Sequence, residues 1–174
     1  KDNNGVIHVE ILKYDGTAVV VVGGKLAQSL TATTTDYVGL STQIPLDDTI
    51  PQNTEGTEIL TRPITPTNAS STIKVTGKIA ISSPAASGGT FIAALFKDTA
   101  ANALRASSVY CGPGGVTGHV EVTFEESAGS TSERTYKLRG GPSSAITMYY
   151  NGNASGRVFG GVSVVSLKVE EILP

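Results

Sequence analysis

Apolar and polar residues alternate with a period of two along much of this chain. In "STIKVTGKIAIS", Ile73, Val75, Ile79 and Ile81 share one parity, and Thr72, Lys74, Thr76 and Lys78 share the other. That is the pattern of a half-buried strand. "GHVEVTFEES" sets Val120, Val122 and Phe124 against Glu121, Thr123 and Glu125 in the same way. "TFIAALFKD" is apolar at both parities, which predicts a central strand covered on both faces. "ALRASSVYCG", "RTYKLRGG", "AITMYYNG" and "VFGGVSVVSLKVEEIL" predict further strands. In the last, the apolar parity shifts between Val164 and Leu167, which predicts a bulge. No 3.6-residue period is sustained anywhere.

The segments before these read as β structure too. "VIHVEILKYDGTAVVVV" has alternating Ile7, Val9 and Ile11, a turn at Asp15-Gly16 and a β-branched run, which together predict a hairpin. Val19 to Val22 are apolar on both faces, so they require cover on both sides or another copy of the chain. Leu26 and Leu30 suggest a helical turn, but the Thr run and Gly39 argue against one, and a strand is expected from about Leu30 to Leu40. "QIPLDDTIPQNTEG" is a long connection with two X-Pro steps. In "TEILTRPITPTNASSTIKV", Glu58 to Ile64 form one strand, "PTNAS" a turn, and Pro63 favours a sheet edge. Strands at this spacing predict an all-β fold: an antiparallel β-sandwich, jelly-roll-like, over residues 31–174, with a separate short N-terminal hairpin in residues 1–30.

Composition narrows the function. Hydrophobic residues make up 39% of the chain, enough for a packed core, while charged residues are only 16%, too few for a charge-decorated helical surface. The net charge is -2 and no stretch concentrates Lys or Arg, which argues against nucleic acid as a partner. One cysteine, Cys111, excludes an internal disulfide, and two histidines, His8 and His119, make a zinc site of the usual kind improbable. Apolar runs such as Ala18 to Val22 are too short to cross a bilayer, so no membrane insertion is expected. The chain opens at "KDNNGVIHVE" without a methionine or a signal-peptide pattern, and it reads as a fragment or processed product.

Several blocks carry a resemblance. "DDTIPQNTEGTEIL", "ITPTNASSTIKV", "LRGGPSSAITMYYNGNASGRVFGG" and the closing "VEEIL" resemble the C-terminal domains of phage and prophage tail-fibre or spike proteins. Similar proteins occur in phage-like particles, including gene transfer agents, of alphaproteobacteria. The resemblance covers about residues 31 to 174 and implies a β-sandwich at the tip of a particle appendage, often trimeric. It implies receptor binding, not catalysis, and brings no residue-level site. The partners expected are a bacterial surface glycan (capsule or lipopolysaccharide), the chain itself as a homotrimer and other appendage proteins. No cofactor or metal is expected. The alternative is a structural oligomerisation module with no ligand of its own.

Chemistry alone selects the candidate residues. "MYYNGNASGR" places Tyr149 or Tyr150 outward beside Asn151, Asn153 and Arg157. An aromatic face can cover a sugar's C–H face while amide and guanidinium donors bond its hydroxyls, so Tyr149, Asn151, Asn153 and Arg157 are the glycan-binding candidates. Core tyrosine is the competing reading, for Tyr110 as well. A second candidate is the polar loop from Lys97 to Arg105. "GPGGVTGH" lacks the Gly-Lys-Ser/Thr ending of a phosphate loop and reads as a strand connection. Asp47-Asp48 offers half a calcium site or, more simply, a turn. Asn68-Ala69-Ser70 and Asn153-Ala154-Ser155 fit a glycosylation pattern and a β-turn equally. Cys111 and His119 form no credible catalytic arrangement, and Glu121 and Glu125 read as the solvated face of a strand.

Overall fold

A computed structural model gives the fold of residues 13–14, 17–18, 25–84 and 86–174. The first strands are β1 (Lys13–Tyr14), β2 (Thr17–Ala18), β3 (Lys25–Thr34), β4 (Val38–Leu40) and β5 (Thr57–Ile64). Then come β6 (Thr72–Ser82), β7 (Gly89–Lys97), β8 (Arg105–Cys111), β9 (Thr117–Ser127) and β10 (Arg134–Pro142). The chain ends with β11 (Met148–Tyr150), β12 (Gly152–Asn153), β13 (Gly156–Arg157) and β14 (Val165–Leu173). Among the described residues only a 3-10 turn, Phe159–Gly161, is helical, and no helix is long and apolar enough to cross a membrane.

Among the described residues eight long strands make the body, and every strand pairing is antiparallel. One sheet runs β3-β14-β6-β9, with β11 and β4 continuing along β6 beyond the end of β14. The other runs β5-β10-β7-β8. Numbered among the eight, the first sheet is first–eighth–third–sixth and the second is second–seventh–fourth–fifth. That is the strand order of a jelly roll, so the fold read from the alternation is the fold observed.

The core forms where the inward parities of the two sheets meet. Ile73, Val75, Ile79 and Ile81 of β6 point inward as the pattern predicts, against Phe91, Leu95, Tyr136 and Leu138 of the facing sheet. β7 is apolar on both faces because it is covered twice. Its second face, Ile92, Ala94 and Phe96, packs beneath Ile44 from the proline-containing connection between β4 and β5. That connection is tied down by Ile44 N–H to the Pro142 carbonyl at 3.1 Å and Gly56 N–H to the Gln43 carbonyl at 2.9 Å. It forms a partial third layer over the sheet.

"TEILTRPITPTNASSTIKV" is the crossing from one sheet to the other. Pro63 lies opposite Thr135 of β10, which is the one strand paired with β5 among the described residues, so the proline does sit on an edge strand. The turn after it is clamped by Glu171. Glu171 stands at the inward parity of β14 after Val165, Leu167 and Val169, yet it is fully buried. Its carboxylate accepts hydrogen bonds from Thr67 N–H (2.8 Å), Thr67 Oγ1 (3.0 Å), Asn68 N–H (3.1 Å), Ser71 Oγ (2.7 Å) and Gln28 Nε2 (2.6 Å). Burial pushes this carboxyl up, but the donors from Gln28, Thr67, Ser71 and Asn68 outweigh it and hold it at about 2.

Two local expectations are corrected. The strand expected over Leu30 to Leu40 begins at Lys25 and breaks after Thr34, where the Thr34 hydroxyl accepts Asp36 N–H at 3.1 Å and turns the chain. The bulge expected near Val164 is not there. β14 begins at Val165, the register shift lies between Glu171 and Ile172, and Val162 and Val164 belong to a loop off the sheet. In the N-terminal hairpin Lys13 pairs with Ala18 and Tyr14 with Thr17, so two residues separate the strands. The expectations for Ile7 to Ile11 and Val19 to Val22 lie outside the described residues.

Antiparallel alternation puts the connections after β3, β6, β8 and β10 at one end of the sandwich and those after β5, β7 and β9 at the other. Contacts agree, with Ser83 N–H on the Val116 carbonyl at one end and Ala128 N–H on the Ser71 carbonyl at the other. "MYYNGNASGR" and the Lys97 to Arg105 loop therefore occupy opposite ends.

Candidate functional site

The long connection from β10 to β14 folds back over the outer face of the larger sheet. Asn151 turns it. This residue adopts a left-handed conformation (φ 55°), which asparagine tolerates. It is 2% exposed, and its amide nitrogen donates to the carbonyls of Thr34 (3.1 Å) and Asp36 (3.0 Å) while its oxygen accepts from Ser163 Oγ (3.1 Å). Ser82 Oγ then donates to the Gly152 carbonyl at 2.6 Å. These bonds seat residues 158–164 above β6 and β9.

Beneath that loop lies a groove of about 540 Å³. Its floor is the outer face of β6 and β9 around Lys78, His119 and Glu121, and its wall is Val162, Ser163 and Val164. A recess of about 170 Å³ continues it past His119 and Ser163 to Phe159. The rim is apolar and exposed: Phe159 is 75% exposed and Val162 80%. Phe159 has φ 53°, rare for an aromatic residue, and the two glycines after it continue the left-handed path.

The polar side of the groove is an ion pair. Lys78 Nζ lies 3.0 Å from Glu121 Oε2, with both side chains largely exposed. The hydrogen bond from Lys78 holds the Glu121 carboxyl below the usual carboxylate range against the opposing effect of desolvation. A second rung, Lys74 to Glu125 at 3.3 Å, continues the ladder along the same two strands. Glu121 and Glu125 thus lie on the solvated face that the alternation predicts.

The four residues selected from sequence are placed close together but do different things. Asn151 is buried and its amide nitrogen is committed to backbone carbonyls, so it positions the loop. Asn153 is half-buried. Its Oδ1 accepts Ser155 N–H at 2.9 Å and its carbonyl accepts the Tyr37 hydroxyl at 2.7 Å. Tyr149 is half-buried with its ring stacked on Tyr37, centroids 5.8 Å apart and planes 13° off parallel. One face of the expected platform is therefore occupied by the protein itself. Arg157 is exposed, and its guanidinium lies over Gly161 at the root of the loop. Tyr150 is in the core.

The remaining candidates resolve simply. In the Lys97 to Arg105 loop, Lys97 pairs with Glu126 at 2.8 Å, Asp98 accepts Thr135 N–H at 2.7 Å, and Asn102 bonds Gln52 at 3.0 Å. Asp47 accepts both the Thr49 N–H and hydroxyl, a turn-capping arrangement. No cluster of three or more metal-ligating side chains occurs among the described residues. Asn68 caps its own turn as Asn153 does, accepting Ser70 N–H at 2.8 Å. "GPGG" is the turn between β8 and β9. Cys111 is fully buried with its thiol pushed up by burial, whereas Tyr110 is 67% exposed. Sequence reasoning missed Phe159, Val162 and Val164 as loop residues. The signal was the Gly160-Gly161 pair, a strand breaker directly after an aromatic.

No family model and no curated protein matches this sequence. Among solved structures, the chain is similar to the EclA C-terminal domain, described as a sugar-binding protein, with 14% identity over 90% of this chain and 86% of that one, and a TM-score of 0.41. It is also similar to a chain of infectious bursal disease virus, Gx strain, with 11% identity over 96% of this chain and 42% of that one, and a TM-score of 0.34. The chain thus spans less than half of the viral chain. Neither likeness assigns it to a family.

Proposed function

We propose that this domain is a non-enzymatic receptor-binding module of a phage or phage-like particle fibre or spike, and that it holds a bacterial surface polysaccharide in the groove under residues 158–164. The observation that carries the reading is the exposed apolar wall at Val162, set across the groove from the hydrogen-bonding pair Lys78 and Glu121, with exposed Phe159 bordering the adjoining recess. A sugar ring needs both, an apolar surface for its C–H face and paired donors and acceptors for its hydroxyls. The particle setting rests on the resemblance of the "DDTIPQNTEGT" and "NGNASGRVFGG" blocks to tail-fibre and spike domains. Single-site affinity is expected to be weak, because sugar hydroxyls exchange water bonds for protein bonds at little net gain. Display as a homotrimer on a particle tip would convert this into avidity.

A glycan array probed with the parent and with Phe159→Ala tests the proposal. Reproducible binding by the parent and its loss in the variant, at unchanged melting temperature, is the expected result. Binding that survives the substitution places the site elsewhere. A second reading, a structural module, is favoured by β3, whose ten residues form an edge with no partner on its outer side among the described residues. A blank array together with a trimer by light scattering selects that reading.

A further inference from the structure

The groove also carries information about which sugar it accepts. We infer that, if it is the glycan site proposed above, it selects a neutral hexopyranose and disfavours a uronic or sialic acid. The Lys78–Glu121 pair reads two neighbouring hydroxyls, and Val162 and Val164 take the ring's apolar face.

The argument starts from charge. Beside His119, the lining holds one lysine and one carboxylate, Lys78 and Glu121, and they are paired at 3.0 Å. The nearest rung on the same strands, Lys74 and Glu125, is paired as well. Among the described lining residues, a sugar carboxylate entering here meets a lysine already paired with Glu121, and it must approach the Glu121 carboxylate. Like charges at close range oppose binding.

The same pair suits hydroxyls. An ammonium has three donors, and the contact with Glu121 occupies one. The Glu121 carboxylate accepts from Lys78 on Oε2 and makes only a long contact, 3.5 Å, with the Thr123 hydroxyl on Oε1. Both groups are 54–60% exposed, so capacity on each faces the groove. Neighbouring hydroxyls can each give a hydrogen to Glu121 or accept one from Lys78. Val162 and Val164, 80% and 44% exposed across the groove, supply the surface that a pyranose C–H face covers.

The test is a matched panel of methyl hexopyranosides (gluco, galacto and manno) and the corresponding methyl hexuronides. Saturation-transfer NMR and calorimetry on the full chain at neutral pH read binding to the parent, Glu121→Gln, Lys78→Gln and Val162→Asp. All three positions are exposed, and unchanged thermal melting verifies each fold. The expected result is binding of at least one neutral glycoside, with its uronide weaker by about tenfold or more, the scale of one lost hydrogen bond to a charged group. Glu121→Gln and Lys78→Gln each weaken the neutral ligand by a similar factor, and Glu121→Gln narrows the preference over the uronide. Uronide binding equal to or tighter than neutral binding, and lost in Val162→Asp, overturns the charge argument while keeping the glycan site. No binding by any member overturns the glycan reading as well. A changed oligomeric state in Val162→Asp assigns this face to contact between copies and overturns both.

Discussion

Replacing Glu171 by glutamine tests the link between one buried carboxylate and the stability of the whole sandwich. Glu171 sits at about 2 against an ordinary value of 4.5. At about 1.4 kcal/mol for each pH unit of separation, the folded state gains about 3 kcal/mol from its ionised form. The value in the fold is depressed, so this stability is complete above about pH 4.5, falls as the pH drops towards 2, and is gone below that. A glutamine side chain here would keep one acceptor but turn an amide nitrogen towards donors from Thr67, Asn68 and Ser71. At neutral pH the variant should lose about 3 kcal/mol, which for a chain of this size lowers the melting temperature by about 6–12 °C. Urea unfolding followed by circular dichroism at steps from pH 7 to pH 2.5 gives the readout. Other carboxylates titrate in the same window, so the deciding quantity is the gap between parent and variant. It should be widest at neutral pH and close towards pH 2. A gap that stays constant over the range, or no gap at neutral pH, refutes the reasoning.

Asn151→Ala removes three part-buried hydrogen bonds and leaves the carbonyls of Thr34 and Asp36 without that partner; thermal unfolding should show a loss of about 2–3 kcal/mol. An unchanged melting temperature would show that this residue does not pin the loop. Ile44→Ala should cost about 2–4 kcal/mol by opening a cavity over Ile92 and Phe96, measured by urea denaturation. A cost near zero would mean that the connection is not a true layer. Tyr149→Ala should lower stability by about 1 kcal/mol through loss of its stack on Tyr37, whereas Phe159→Ala should stay within about 0.5 kcal/mol of the parent. The reverse order in calorimetry would restore Tyr149 as the exposed platform.

The candidate site was legible in part. The stretch after Tyr150 does turn at one end of the sandwich, and Ala154, Ser155 and Arg157 are exposed there, while Tyr150, Asn151 and Gly152 are buried. The chemistry assigned to Asn151 was not legible, because an asparagine in a turn offers the same amide to a ligand or to a backbone. Which of them takes it depends on whether a remote segment arrives, here Thr34 and Asp36, more than 110 residues earlier in the chain. Lys78 and Glu121 were correctly read as outward. Nothing local indicated that they face each other at 3.0 Å, because strand register fixes that distance.

Alternation in β6 and β9 and the doubly apolar β7 were determined by sequence alone. A strand exposes successive side chains to opposite faces whatever its neighbours, so burial of a whole face must appear as a period of two. The edge position of Pro63 follows from its missing donor just as directly. Single residues that break the pattern were decided by tertiary structure. Glu171 occupies an inward position and stays ionised because the "PTNAS" turn, 100 residues earlier, brings donors to it. Ile44 is core although it lies between prolines and polar residues, because its connection crosses the second face of β7. Val162 and Val164 are exposed although they extend an apolar run, because Asn151 and Ser163 lift that segment off the sheet. Periodicity reports the average environment of a face. The environment of one side chain is set by whichever distant piece of chain packs upon it.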